Sequence, residues 1–337
     1  MDWNGKHIGI SRTDSIGDVM LTLPICTWLK QHYPTCKITF FCKTYTAVLV
    51  ESYQSVDAVF CVDEFLNWAQ NKQVQHIQSM NLDAFVHVFP NKTLAKTIHK
   101  AKVRYRIGTS HRLFHWLTCN VRPNFTRKKS DLHEAQLNFK LLEFFGCKAI
   151  PSIEELIAYT SNFQPQTVDL PESIKKQLST NYFILHPKSQ GSALEWPIEK
   201  YRFLANQLIE KGYQVVFTGT EKEGLLYRNS LPSHPACIDS SGKLSMIELC
   251  MLIRNASGLV ACSTGPLHIA AFSGIKAVGL FSSRRPIHPG RWKPIGKQAV
   301  AVVYDENCPT CLEGKSCSCI ESISPENILA LLIETPA

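Results

Sequence analysis

The chain lacks any apolar run approaching the roughly 18 residues of a membrane span, and its start, Met1-Asp-Trp-Asn-Gly-Lys, lacks the apolar core of a secretory leader. Both absences point to the cytosol. Neither half opens with Gly-x-Gly-x-x-Gly, which argues against a nicotinamide-dependent dehydrogenase. There is no internal repeat and no low-complexity stretch. The 13 cysteines are an odd number, and several fall inside strands and helices (Cys42, Cys61, Cys250, Cys262). That pattern fits reduced, buried thiols better than a disulfide framework. The last absence is local. Between Lys92 and Lys129 there is no carboxylate, yet that block holds eleven Lys and Arg residues, while the remainder carries 25 basic against 28 acidic side chains. A one-signed block suits a polyanion such as an acidic glycolipid, an anionic membrane or a nucleic acid; a solvated face kept basic for solubility is the plainer alternative. A base-stacking platform is disfavoured, because Tyr105, Phe114, Trp116 and Phe125 are scattered through the block and no nucleic-acid motif accompanies them.

With 337 residues the chain suits two domains. Short apolar strands alternate with amphipathic helices, the habit of α/β domains with parallel sheets. Strands are expected at His7–Ser11, Lys37–Cys42, Ala58–Val62, Ala84–Phe89 and Val103–Ile107, with helices over Gly17–His32, kinked or delayed by Pro24, and Leu132–Phe145. The Pro-rich stretch from Cys147 to Pro171 is the linker candidate. A second unit follows, with strands Tyr182–His186, Gln214–Thr218, Gly258–Cys262 and Lys276–Phe281 and helices Ile198–Lys211, Ser245–Asn255 and Leu267–Ser273. Domains are thus expected over 1–165 and 166–324, with a closing helix in 325–337 that could dock on either.

Two strand–loop–helix segments could carry chemistry. In the first, Gly258-Leu-Val-Ala-Cys262 runs through Ser263-Thr264-Gly265-Pro266 into a helix. The unpaired N–H groups and dipole of such a helix start favour a phosphate, Gly265 permits close approach, and His268 projects from the same turn. Ordinary N-cap chemistry would use the same residue types. In the second, His7-Ile-Gly-Ile-Ser-Arg-Thr-Asp-Ser-Ile-Gly-Asp18 places a carboxylate where the loop becomes a helix. Asp18 is either a helix-start charge or a general base for an acceptor hydroxyl, and Asp14 competes for both roles.

Taken together the motifs resemble glycosyltransferase family 9, the ADP-heptose:lipopolysaccharide heptosyltransferases. The resemblance rests on Ser15-Ile-Gly-Asp-Val with Leu23-Pro24, His186-Pro-Lys-Ser, Glu195-Trp-Pro197, Thr218-Gly-Thr-Glu221, Gly242-Lys-Leu-Ser245 and Ser263-Thr-Gly-Pro-Leu-His-Ile-Ala-Ala. These motifs are individually weak but collinear, and they cover roughly Ile8 to Trp292. The resemblance implies a GT-B fold, two Rossmann-like doubly wound α/β domains facing across a cleft. It further implies inverting, metal-independent transfer from a nucleotide-diphosphate sugar, with no cofactor required. ADP-heptose would be the donor, on the C-terminal domain. The acceptor, on the N-terminal domain, would be the lipid A-core of lipopolysaccharide at the cytoplasmic surface of the inner membrane, where the enzyme would be peripheral.

On this resemblance Asp18 is the base. The diphosphate rests on Thr264, Gly265 and His268, helped by Lys188 and Ser189; Glu221 holds the ribose and Leu244 packs on the adenine. The basic block supplies Arg104, Arg106, Arg112, Lys128 and Lys129 as acceptor contacts, with His133 opening the next helix. Two departures stand out: Ser263 replaces a family aspartate that helps bind the donor sugar, and Leu194 replaces a lysine, a charge Lys188 could supply instead. Arg284, Arg285, His288 and Arg291 follow the strand ending at Phe281 and could add phosphate contacts. A nucleotide-sugar epimerase on the same fold leaves the basic block without a purpose, and a non-catalytic nucleotide- or nucleic-acid-binding module is disfavoured by the scattered aromatics and the missing motif. The tail, Cys308-Pro-Thr-Cys311 with Cys317-Ser-Cys319, has the ligand types of a tetrahedral zinc site, but one residue separates its second pair, tighter than the usual two to four. That spacing favours free or oxidisable thiols over metal.

Overall fold

Two fully parallel sheets organise the chain in a computed structural model that describes residues 1–127 and 130–334. The first contains β1 (His7–Ser11), β2 (Lys37–Cys42), β3 (Ala58–Cys61), β4 (Ala84–His87) and β5 (Tyr105–Gly108), in the order β3-β2-β1-β4-β5. The second contains β6 (Tyr182–His186), β7 (Gln214–Phe217), β8 (Cys237–Asp239), β9 (Gly258–Cys262), β10 (Lys276–Phe281) and β11 (Ala299–Val303), in the order β11-β10-β9-β6-β7-β8. Helices cover both faces, so the central strands are apolar throughout rather than alternating; Ile38, Phe40 and Phe41 of β2 are all buried. The chain divides into two compact units, Met1–Pro165 and Gln166–Ala337.

Strand order fixes where a ligand can go. In each unit the chain winds outward from its first strand, then returns to the other side, so crossovers leave in opposite directions at β1/β4 and at β6/β9. Such reversals open a crevice at the carboxyl ends of the strands. In this chain those ends are Ser11 beside His87, and His186 beside Ala261.

Several boundaries differ from expectation, each for a local reason. The helix expected over Gly17–His32 is two, Ile16–Met20 and Pro24–His32, because Pro24 lacks an N–H and restarts the helix in its own first turn. The helix expected over Leu132–Phe145 begins at Glu134, behind a cap formed by His133 and Gln136, and tightens into a 3₁₀ segment over Lys140–Phe145 that ends at Gly146, φ 95°. The supposed linker holds a helix, Ile153–Tyr159, nucleated by a capping box between Ser152 and Glu155. β5 begins two residues late, after Lys102 turns the chain through φ 60°. The closing helix, Pro325–Ile333, packs on the helix Ile198–Glu210 and on β10, within the second unit. Among the described residues no helix is long and apolar enough to cross a membrane.

Candidate functional site

At the carboxyl end of β1 the chain buries a guanidinium. Arg12, only 3% exposed, donates to Asp14 at 2.7 Å, to Glu134 at 3.1 Å and to Asp18. Ser15 donates to the second oxygen of Asp18, and the Thr22 hydroxyl caps the Asp18 carbonyl at 2.8 Å. A second guanidinium, Arg127, binds Glu134 at 2.8 Å and Asn138 at 3.0 Å. The carboxyl of Asp14 is pushed up by burial, partly offset by Arg12 and reinforced by Glu134. Asp18 keeps 16% of its side chain exposed, whereas Glu134 is fully buried. Asp18 is therefore held in one orientation with part of its side chain exposed. Arg12, Arg127 and Glu134 were not among the expected site residues.

In the second unit, β9 delivers Ser263 and Thr264 to the start of the helix Gly265–Phe272. Thr264 occupies the N-cap with φ −133° and ψ 166°, yet its hydroxyl caps nothing. Thr264 Oγ1 is buried without a hydrogen-bond partner among the described residues. His268, one turn on, is 2% exposed. The loop after β6 lies alongside, since Ser192 reaches the Ser263 carbonyl at 3.5 Å. Within that loop Lys188 pairs with Glu195 at 2.8 Å, and the Ser189 amide and hydroxyl donate to the same carboxylate at 2.9 and 3.0 Å. Burial would raise the Glu195 carboxyl, but those donors outweigh it and hold it below the usual range. Leu194 is 38% exposed and brings no charge.

The loops after β7 and β8 meet through Gly242. Its amide donates to Gly219 at 2.9 Å, and at φ 73° its Cα lies where a Cβ would strike Glu221, 2.6 Å from a carboxylate oxygen. Glu221 takes a two-pronged grip from Arg228, both contacts at 3.0 Å, which lowers its carboxyl. Leu244 follows, half-buried. Glu221 and Leu244 are thereby brought to one end of the sheet.

The basic block is divided in its use. Arg106 is a structural clip, its guanidinium donating to the carbonyls of Thr118 at 2.8 Å and Val103 at 2.5 Å. His133 is 1% exposed, and its Nδ1 accepts from Ala135 at 3.2 Å as a helix cap. Arg104 and Arg112 are exposed, whereas Lys128 and Lys129 lie outside the described residues. Beside Arg112 the helix Leu113–Thr118 presents Leu113, Trp116 and Leu117 at 90, 59 and 80% exposure, with Arg122 stacked 4.8 Å from the Trp116 ring. The four tail cysteines come together, their sulfur atoms all within 4.8 Å of one another.

Comparison with known proteins gives the fold and the family. A Haemophilus influenzae protein with only a provisional assignment as a glycosyltransferase is 28% identical over 335 residues, spanning 96% of this chain and 95% of its own. The solved family 9 glycosyltransferase of Veillonella parvula superimposes with a TM-score of 0.76 at 20% identity, covering 99% of both chains. ADP-heptose lipopolysaccharide heptosyltransferase II of Escherichia coli gives 0.74 at 19% identity, covering 97% of this chain and 98% of its own. The fold is therefore the GT-B fold of those structures, two Rossmann-like units with parallel sheets. The sequence model of glycosyltransferase family 9 (heptosyltransferase) matches residues 98–320, more than half of the chain, and this protein belongs to that family of enzymes.

Proposed function

We propose that the protein transfers a heptose, with inversion and without a metal in the reaction, from ADP-heptose to the lipid A-core of lipopolysaccharide. The observation that carries the reading is Asp18, fixed by Arg12 and Ser15 at the carboxyl end of β1 with part of its side chain exposed. The acceptor hydroxyl gives its proton to Asp18 while its oxygen bonds to the anomeric carbon. On the opposite face the bond from that carbon to the diphosphate breaks. The leaving ADP takes the electron pair, and its charge falls on fixed donors: the amides opening the Gly265–Phe272 helix, the Thr264 hydroxyl and Lys188. Glu221 and Leu244, set together by Gly242, receive ribose and adenine. Lys188 is already paired with Glu195, so it contributes by sharing its charge rather than by supplying a free one.

Arg104 and Arg112 remain as acceptor contacts among the described residues. The exposed Leu113, Trp116 and Leu117 support a peripheral position on the cytoplasmic face of an anionic inner membrane. An epimerase would need no such surface.

Asp18→Asn tests the reading with ADP-heptose and purified lipid A-core. Transfer should fall by about 10²–10⁴-fold, the usual contribution of a positioned base. ADP affinity by calorimetry should stay within a factor of about two, well under the tenfold that 1.4 kcal/mol represents. Undiminished turnover would remove Asp18 from the base role. Mass spectrometry of the lipopolysaccharide core from cells with and without the gene would identify the missing sugar.

A further inference from the structure

We propose that Cys308, Cys311, Cys317 and Cys319 hold one transition-metal ion as a tetrahedral tetrathiolate site, zinc or iron, that braces the donor loop of the second unit. Tight spacing in the second pair argues against metal only if each pair must form its own knuckle. The fold removes that condition. Cys308 caps the one-turn helix Pro309–Leu312, which places Cys311 one turn away. The chain then reverses at Gly314, φ 78°, whose amide donates to the Cys311 carbonyl at 2.9 Å, and Cys319 opens the next helical turn, Cys319–Ser322. All four sulfurs converge within 4.8 Å, and Cys311 and Cys317 approach to 2.8 Å.

The surroundings strengthen the assignment. Cys308, Cys311 and Cys319 are at most 9% exposed, and the apolar cluster they form contains only them and the half-buried Cys317. A packed core does not choose sulfur alone; four thiolates around one point are the donor set of structural zinc or mononuclear iron. The nine other cysteines show no such grouping among the described residues. On binding, the thiols release their protons to solvent and the metal gains four sulfur bonds, with no change of oxidation state.

The site also has a structural purpose. Directly after Cys319, Ile320 and Ile323 enter the core that holds Trp196, and the Ile323 carbonyl accepts from Trp196 Nε1 at 3.1 Å and from Lys200 at 2.9 Å. Trp196 adjoins Glu195, the carboxylate that positions Lys188 and Ser189. Metal would thus pin the tail segment that backs this loop. This last step rests on the proposed donor site; the metal assignment does not.

The test is elemental analysis of the full-length protein, purified under reducing conditions and without a histidine tag. About one zinc or iron per chain is expected, the elemental analysis itself telling one metal from the other. Replacement by cobalt should give the ligand-field and charge-transfer bands of tetrahedral tetrathiolate. Cys311→Ser and Cys319→Ser should lose the metal and lower Tm, whereas the exposed Cys61→Ser should keep both. Should the serine variants fail to fold, the wild-type metal content and a chelator-induced, metal-reversible drop in Tm still decide the matter. Metal-free protein in which all four thiols react with Ellman's reagent, or two disulfides by mass, would overturn the proposal. Weaker ADP binding on chelation would support the bracing role. Unchanged ADP binding with metal lost would confine the site to stability, and a failed donor site would appear separately as no ADP binding by the holoprotein.

Discussion

In the function proposed above, Arg12 is the residue that holds the base, Asp18, in place. One buried guanidinium serves Asp14, Asp18 and Glu134, so deleting it strips each of these carboxylates of an ion-pair partner. Removing one partner of a buried ion pair costs about 3–5 kcal/mol. Arg12→Ala should therefore destabilise by that order in denaturant melts. Arg12→Lys keeps the charge but loses the fork that reaches three acceptors, and should recover part of the stability while transfer stays well below wild type with ADP affinity unchanged. Full activity in the lysine variant would show that Asp18 needs charge nearby but not orientation. This hub also marks the limit of what the sequence discloses. Asp18 could be found by reading along one strand and one loop, because a carboxylate at a helix start has only a few uses. Arg12 stood in the same motif without a role: Asp14 and Asp18 are close by in sequence, but nothing local joins it to Glu134, 122 positions away. His133 and Arg106 show the converse: charge or ring suggested a ligand, and in the structure nearby backbone groups engage both.

At the scale of elements, the helix Gly265–Phe272 is the informative case. Its strand, turn and helix could be read from apolar run, small residues and proline, as could β6, β9 and β10. What could not be read was that the Thr264 hydroxyl would be buried and left uncapping. An N-cap threonine ordinarily loses about 1 kcal/mol on replacement, because its oxygen accepts from the helix. Here no such bond exists, so Thr264→Val should leave the apo protein as stable as wild type or slightly more so. The same change should weaken ADP about tenfold, in line with about 1.4 kcal/mol for one hydrogen bond to a charged group. Differential scanning calorimetry with and without ADP separates the two effects. A Tm drop confined to the apo protein would mean that the hydroxyl caps the helix after all. Two elements escaped the sequence reading for different reasons: β8 has three residues, too few for a period, and the Ile153–Tyr159 helix hid behind prolines although Ser152 and Glu155 spelled its cap.

At the scale of the whole molecule, the one-signed basic block of the first unit also carries exposed apolar side chains. The block from Lys92 to Lys129 has no carboxylate, and within it the helix Leu113–Thr118 exposes two leucines and a tryptophan. Charge alone would bring the protein to an anionic bilayer, at up to about 1 kcal/mol per basic residue close to the surface, but salt screens that attraction. Exposed leucines add a term that salt does not screen, about 1.5–3 kcal/mol for each side chain fully buried in the interface. The two contributions therefore separate by ionic strength. With vesicles of phosphatidylglycerol and phosphatidylethanolamine, wild-type binding should fall as salt rises and then level off at a residual partition. Leu113→Ser with Leu117→Ser should retain the salt-sensitive part and lose the residue that salt leaves behind, while turnover on a delipidated core acceptor stays unchanged. Replacing Arg104 and Arg112 by glutamine should do the reverse at the membrane, flattening the salt dependence, and should also raise the KM for that acceptor. Identical salt curves for the leucine variant and the wild type would mean that those side chains never enter the bilayer, and that any membrane attraction is of charge alone.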